Sequence, residues 1–294
     1  MADLHTEVWI RQILEGFYPD RSFLKYARDL SKLVDNDKIN LAEAGLDPVV
    51  LINNTTYPIQ VAQRIDRPIS VELDKFETEN TLVRRPEVIE YSYDQLESVI
   101  RGHRSSLQAK TSEKAAHAFA PDEDSEFTPI IQTTGDIYDK RKMLTYLDII
   151  ELKRRFDMVD IPLEKRYLVL SPQHVSDLLW QDVKLFKDLT DMKDGKPFNF
   201  AGFNMLQYSR MPKYDKSGSG GGWKKVPFGN TTASKSFCSF AFQGDEVMKS
   251  DGQLYMYVRR DDPMERGTIV GFDKRFIAMP LRNKGIGAIV SSEE

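Results

Sequence analysis

Apolar side chains recur along this chain with two different periods, and the change of period marks its elements. Within residues 4–33, Val8, Ile10, Ile13 and Leu14, then Phe23, Leu24, Ala27, Leu30 and Leu33, form two short helix-like stretches interrupted at Gly16–Pro19. They predict an N-terminal arm. Beyond Gly45 and Pro48 the run Val49-Val50-Leu51-Ile52 reads as a strand. From Ile59 to Leu73 the odd positions Ile59, Val61, Ile65, Ile69, Val71 and Leu73 are apolar, while Gln60, Arg64, Asp66, Ser70 and Glu72 between them are polar. That alternation is the signature of a half-exposed strand. After a polar turn at Lys75–Asn80, Thr81-Leu82-Val83 opens a return strand that Pro86 limits, so the segment predicts a long β-hairpin. Such a length implies support from outside the subunit.

The period then becomes helical. Leu96, Ile100, His103, Leu107, Ala115, Ala118 and Phe119 lie three or four residues apart or in register with that spacing, which predicts a long amphipathic helix over 93–119, ended by Pro121 and the acidic run Asp122–Glu126. A second helix is expected between Asp139 and Met158, with Leu144, Leu147, Ile150 and Phe156 on its apolar face. Tyr167-Leu168-Val169-Leu170 reads as a buried strand. Ser171 as N-cap and Pro172 at the first helical position then start a helix running to about Leu189. Past Gly195 short strands dominate: Phe198–Phe200, Gly202–Tyr208, Phe237–Phe242, Leu254–Val258, Thr268–Phe272, Phe276–Met279 and Ile286–Val290. Ser217-Gly-Ser-Gly-Gly-Gly222 reads as a flexible surface loop. The fold class is α+β.

Composition removes several classes of function. The 294 residues are 40% hydrophobic and 29% charged, with a mean hydropathy of −0.46, a balance typical of globular chains. Neither a signal peptide nor a membrane span is legible, so a cytosolic origin and no membrane partner are expected. Cys238 is the sole cysteine, which excludes an intrachain disulfide. A formal charge of −4 and a pI near 5.7 give no global attraction to nucleic acid, although enclosing DNA does not require neutralising its phosphates.

Candidate chemistry is sparse. The glycine run at 218–222 continues Trp223-Lys224-Lys225, where a P-loop needs Gly-Lys-Ser/Thr and a dinucleotide fingerprint needs a third glycine. His5, His103, His117 and His174 form no HExxH pair, and His103 reads as a packing residue of the long helix. No G-x-S-x-G elbow frames a serine, and Cys238 sits within an apolar strand. Asp122, Glu123, Asp124 and Glu126 lack the glycine and terminal glutamate of an EF-hand, so they read as a solvated turn. The basic clusters Lys140–Lys142 and Lys153–Arg155 read as solvated helix ends or intersubunit salt bridges. No catalytic, cofactor-binding or metal-ligating residue is assigned.

Three stretches carry a resemblance. They are Ile69-Ser-Val-Glu-Leu-Asp-Lys-Phe with Asn80-Thr-Leu-Val, Pro162 with Lys165-Arg-Tyr-Leu-Val-Leu-Ser-Pro, and Gly202-Phe-Asn-Met with Ser209-Arg-Met-Pro212. Their order and spacing resemble the major capsid proteins of tailed bacteriophages, with the Hong Kong 97 fold. The resemblance implies an N-terminal arm over 1–56, an extended hairpin loop over 57–92, a spine helix and peripheral domain over 93–190, and an axial domain over 191–280. A C-terminal strand in 281–294 would return to the peripheral domain. It further implies a non-enzymatic subunit, without cofactor, assembling in the bacterial host cytoplasm through hexamers and pentamers into an icosahedral virion shell. Partners would be scaffold, portal and decoration proteins and packaged double-stranded DNA without sequence specificity. The hairpin begins within about sixty residues of Met1, so a separate scaffold or a shorter internal arm is expected rather than a large fused scaffold domain. Ile69, Val71, Leu73 and Phe76 are the expected intersubunit contacts. An encapsulin, the same fold used as a cargo compartment, is the alternative.

Overall fold

The computed structural model describes residues 23–35, 38–43, 55, 67–84, 88–182, 198–217, 222–230 and 236–291. The expected helix-like stretch Val8–Leu14, the strand Val49–Ile52 and the first part of the expected hairpin, 59–66, lie outside these residues.

The chain enters through a short 3-10 turn, Phe23–Tyr26, that buries Phe23 and Leu24. The strands β1 (Arg28–Asp29), β2 (Val34–Asp35), β3 (Lys38–Glu43), β4 (Arg67–Glu72), β5 (Asp74–Glu77) and β6 (Thr81–Arg84) follow. Helix α1 (Val88–Phe119) is 32 residues long. It is succeeded by β7 (Ile130–Gln132), β8 (Ile137–Tyr138), β9 (Arg141–Lys142), α2 (Tyr146–Met158), β10 (Arg166–Leu170) and α3 (Pro172–Gln181). The last third is β11 (Phe198–Phe200), β12 (Phe203–Gln207), β13 (Tyr214–Ser217), β14 (Gly222–Lys225), β15 (Phe237–Gln243), β16 (Val247–Asp262), β17 (Gly267–Pro280) and β18 (Ile286–Ser291).

Two sheets organise these elements. The six-stranded sheet has the order β11-β12-β10-β15-β18-β7. Its central strands are apolar on both faces, because both faces are covered. Leu168, Leu170, Ala241 and Ile289 meet Ile149, Leu152 and Phe156 of α2 and Val175 and Leu178 of α3 on one side. Val169, Phe240, Phe242, Ala288 and Val290 meet Phe23 and the end of α1, at Ala115, Ala116 and Phe119, on the other. The second sheet has the order β1-β16-β17-β5, with β6 also on β17. Helix α1 covers one of its faces, burying Ile100 and Leu107 against Val270 and Phe272.

Local chemistry explains the helix starts. Thr145 and Asp148 form a reciprocal capping box at α2, and the Ser171 hydroxyl accepts from the His174 amide at 3.3 Å at α3. The expected start of α2 near Asp139 is corrected: Asp139 and Lys140 take left-handed φ values of 49° and 59° in a β8–β9 hairpin turn. The apolar face of α2 is also rotated from expectation. Ile149, Leu152 and Phe156 are buried, while Leu147 and Ile150 are 57% and 44% exposed. The described part of α3 stops at Gln181, and its expected continuation to Leu189 lies outside the described residues.

Strand pairing departs most from expectation. β4 pairs antiparallel with β3, from Lys38↔Glu72 to Glu43↔Arg67, while the expected return strand Thr81–Val83 pairs with β17. Lys75–Glu77, expected in a turn, also lies in a strand on β17. Alternation reveals which face of a strand is buried and is silent about its partner. Gly267 permits the close approach of β6 to β17, because a side chain there would collide with the Val83 carbonyl. The expected boundary at residue 190 falls inside one sheet, since β10, β12 and β15 are neighbours. Residues 247–280, expected in an axial domain with β12 and β15, belong instead to the other sheet.

Candidate assembly surfaces

The four residues expected to touch a neighbouring subunit separate into two groups. Leu73 is 3% exposed and lies in a cluster with Leu30, Ile39, Met248 and Ile277. Phe76 packs its ring edge-on to Phe276, with centroids 6.2 Å apart. Leu73 is thus fully covered and Phe76 partly covered by packing within the subunit itself. Val71 is half-buried beside the same cluster as Leu73, and Ile69 is registered opposite Leu41. The outer edge of this ribbon is polar, with Lys38 and Glu72 paired at 2.7 Å in the open.

The hairpin of β16 and β17 presents a second surface. Along β16, Leu254, Met256 and Val258 pack toward the α1 side, while Tyr255 and Tyr257 point outward at 47% and 58% exposure. Met264 at the hairpin end is 86% exposed. The sequence pattern places three short strands, Leu254–Val258, Thr268–Phe272 and Phe276–Met279, where the fold has the two long strands β16 and β17. In the fold, Gly252 sits in a β-bulge where a side chain would strike Arg275 and Leu73, and Lys274 is buried beside Asp251 and over the Phe276 ring. Burial pulls the Lys274 ammonium down to about 8 against the opposing effect of Asp251. The Tyr255–Tyr257 pair was legible as polar-tipped aromatics two residues apart in an alternating strand, and was missed.

A third surface borders the six-stranded sheet. Tyr138 packs edge-on to Trp180, which is 60% exposed, and the Tyr146 amide donates to the Gln181 side chain at 3.3 Å, joining the starts and ends of these elements. Leu147, Ile150 and Met158 continue the apolar surface along α2.

The charged clusters serve the subunit internally. Lys153 pairs with Asp157, Arg154 with Glu151, and Arg155 with Asp124 and Glu151. The acidic turn is a clamp: the Asp124 carboxylate accepts from the Ile130 amide at 2.8 Å, and Asp122 pairs with Lys225, whose ammonium also donates to the carbonyls of His117 in α1 and of Ala120 just beyond it. Among the described residues no group of three or more His, Cys, Asp or Glu side chains is placed to hold a metal ion. Residues 218–221 lie outside the described residues; β13 and β14 on either side of them pair antiparallel.

The buried titratable groups are packed. His174 is fully buried, its Nδ1 2.6 Å from the Ser239 hydroxyl and its Nε2 2.9 Å from that of Ser291. Burial pulls its imidazole down to about 4. One turn on, Asp177 holds Arg141 through two buried hydrogen bonds of 2.7 and 2.8 Å. Cys238 is buried in β15, and desolvation pushes its thiol far up, away from the reactive thiolate.

No family model matches the chain, and no curated protein matches it significantly. Solved structures do. The capsid of cyanophage P-SCSP1u is similar at 14% identity, with a TM-score of 0.59 over 90% of this chain and 86% of that one. The capsid of Ralstonia phage GP4 is similar at 8% identity, with a TM-score of 0.63 over 94% and 92%. A virus-like particle from Pyrococcus furiosus is similar at 11% identity, with a TM-score of 0.55 over 97% and 99%. At these identities the likeness speaks for architecture, and the chain has the Hong Kong 97-type fold of tailed-phage capsid proteins.

Proposed function

We propose that this chain is the major capsid protein of a tailed phage, a non-enzymatic subunit that assembles through hexamers and pentamers into an icosahedral head around double-stranded DNA. The observation that carries the reading is the likeness to phage capsids over nine-tenths or more of this chain. A sheet with outward aromatics on the face away from α1 supports it, because such surfaces suit contacts with further copies. Head-to-tail contacts of this kind close into rings, and many modest contacts in a lattice reinforce one another. Scaffold, portal and decoration proteins are the further partners of this reading, and host cytoplasm is its place of assembly.

Within it, the arm ends near β2, the extended hairpin is built on β3 and β4, and α1 is the spine. The peripheral domain joins α1 to the β16–β17 hairpin, and the axial domain is the six-stranded sheet. Ile69 and Val71 on the hairpin remain the proposed intersubunit contacts.

The Pyrococcus furiosus particle, matched over 99% of its chain, keeps a compartment shell of the encapsulin kind as the second reading. Sedimentation velocity of the purified chain, with scaffold supplied, tests both. Megadalton particles are expected, and a strictly monomeric chain at every concentration overturns both. Particles from infected cells that hold nuclease-protected DNA support the phage head, whereas a packaged enzyme assigns the compartment.

A further inference from the structure

The β16–β17 hairpin carries an extra residue in β16: Asp251 stands opposite Phe276, whereas Leu254 stands opposite Lys274. At this bulge Lys274 and Asp251 form an ion pair with side chains 2% and 19% exposed, and the ammonium lies over the Phe276 ring at 5.5 Å. Asp251 and Lys249 are the charged groups that act on Lys274. Burial pulls the Lys274 ammonium down to about 8 and pushes the Asp251 carboxyl up, each against the effect of its partner. Removing the two charges from water therefore outweighs their attraction, and an apolar pair of similar volume would serve stability at least as well. Stability does not account for the pair.

Its surroundings do. The Asp251 backbone N–H donates to the Ser31 hydroxyl at 2.9 Å, and that hydroxyl donates to Asp29 at 2.5 Å. Asp29 also accepts from the Ser31 amide at 2.9 Å and faces the Lys249 ammonium at 4.0 Å. A hydroxyl can donate once and accept besides, so Ser31 joins the bulge and the N-terminal segment in one network. The backbone ladder between them is short: β1 pairs with β16 only at Arg28↔Met248 and Asp29↔Lys249, followed by the Leu30 amide donating to the Lys249 carbonyl at 3.0 Å. So short a ladder needs support from side chains.

We infer that the bulge is a latch for the segment Arg28–Leu33: the Lys274–Asp251 pair sets the bulge, the set bulge aims the Asp251 amide at Ser31, and releasing either end loosens the other. Such coupling is reciprocal. All of these groups belong to one subunit, so the inference stands apart from the shell reading.

Two variants of the full chain, compared with wild type as unassembled subunits, test the latch from its two ends. Lys274→Met combined with Asp251→Leu replaces the pair by apolar side chains and is expected to melt at or above the wild-type temperature. Hydrogen exchange of its Leu30 amide, a group on the far side of the network, is expected to speed up at least about tenfold. Ser31→Ala cuts the network at the half-buried hydroxyl. There the Lys274 ammonium, followed by NMR titration of its side chain, is expected to move up toward the ordinary lysine value as the bulge opens to water. A purely local role for Ser31 would leave that titration where it is. Unchanged Leu30 exchange in the double variant, or an unchanged Lys274 titration in Ser31→Ala, overturns the inference. A double variant that melts well below wild type overturns it too, because the pair is then a store of stability.

Discussion

The two sheets of this chain solve the same burial problem differently. In β10 and β18 every residue is buried, because helices α2 and α3 cover one face and α1 with the entering turn covers the other. In β16 the burial alternates from Gln253 to Arg259, since α1 covers one face and the other carries exposed Tyr255 and Tyr257. The first sheet is complete within one subunit. The second leaves one face open, with Tyr255 and Tyr257 exposed on it.

The comparison predicts unequal responses to substitution. The largest is expected for Phe240→Ala in the doubly covered sheet, where the ring is fully buried and packs edge-on to Phe23 at 5.5 Å. A loss of about 3–5 kcal/mol in denaturant unfolding of the unassembled subunit is expected; a loss below about 1 kcal/mol would mean that this core is not the subunit's main store of stability.

Acid probes the same sheet. The His174 imidazole sits near 4 when folded and near 6.5 when unfolded, so between these values the unfolded chain binds more protons and stability falls as pH drops. His103 and His117 are shifted downward too, by burial first, and add the same sign. The His174 contribution is complete above about pH 6.5, is lost toward pH 4, and amounts at most to roughly 3 kcal/mol. Thermal melts of wild type and His174→Gln from pH 7 to 4 check it; parallel slopes for the two would sink the assignment to His174.

The smallest effect on folding is expected at Tyr255→Ser, on the open face. Subunit stability should change by no more than about 0.5 kcal/mol, as for other exposed sites, while particle yield falls. Equal loss of both would place Tyr255 in the subunit's core and erase the contrast between the sheets.

How legible each region was in the sequence follows from the same contrast. Helix α1 and the Ser171-Pro172 start of α3 were readable, because a sustained 3.6-residue period and a cap are local signals. The partner of β4 was not, since alternation at Ile69, Val71 and Leu73 is equally compatible with β3 and with Thr81–Val83. The packing of Leu73 and Phe76 within the subunit was hidden for the same reason. The full 16 residues of β16 were not legible, since the alternation shows only at 254–258 and is broken before it by the bulge between Asp251 and Leu254.

The central claim is that many copies of this chain complete one another in a closed shell. Cryo-electron microscopy of the purified particles tests it most directly, because it locates each surface in the assembly. The account predicts closed shells of five- and six-membered rings in which the outer face of β16 is covered by neighbouring copies, while β10, β15 and β18 meet only their own subunit. Particles joined through the six-stranded sheet's core strands, or a chain that remains a 33.8 kDa monomer with scaffold present, would contradict it.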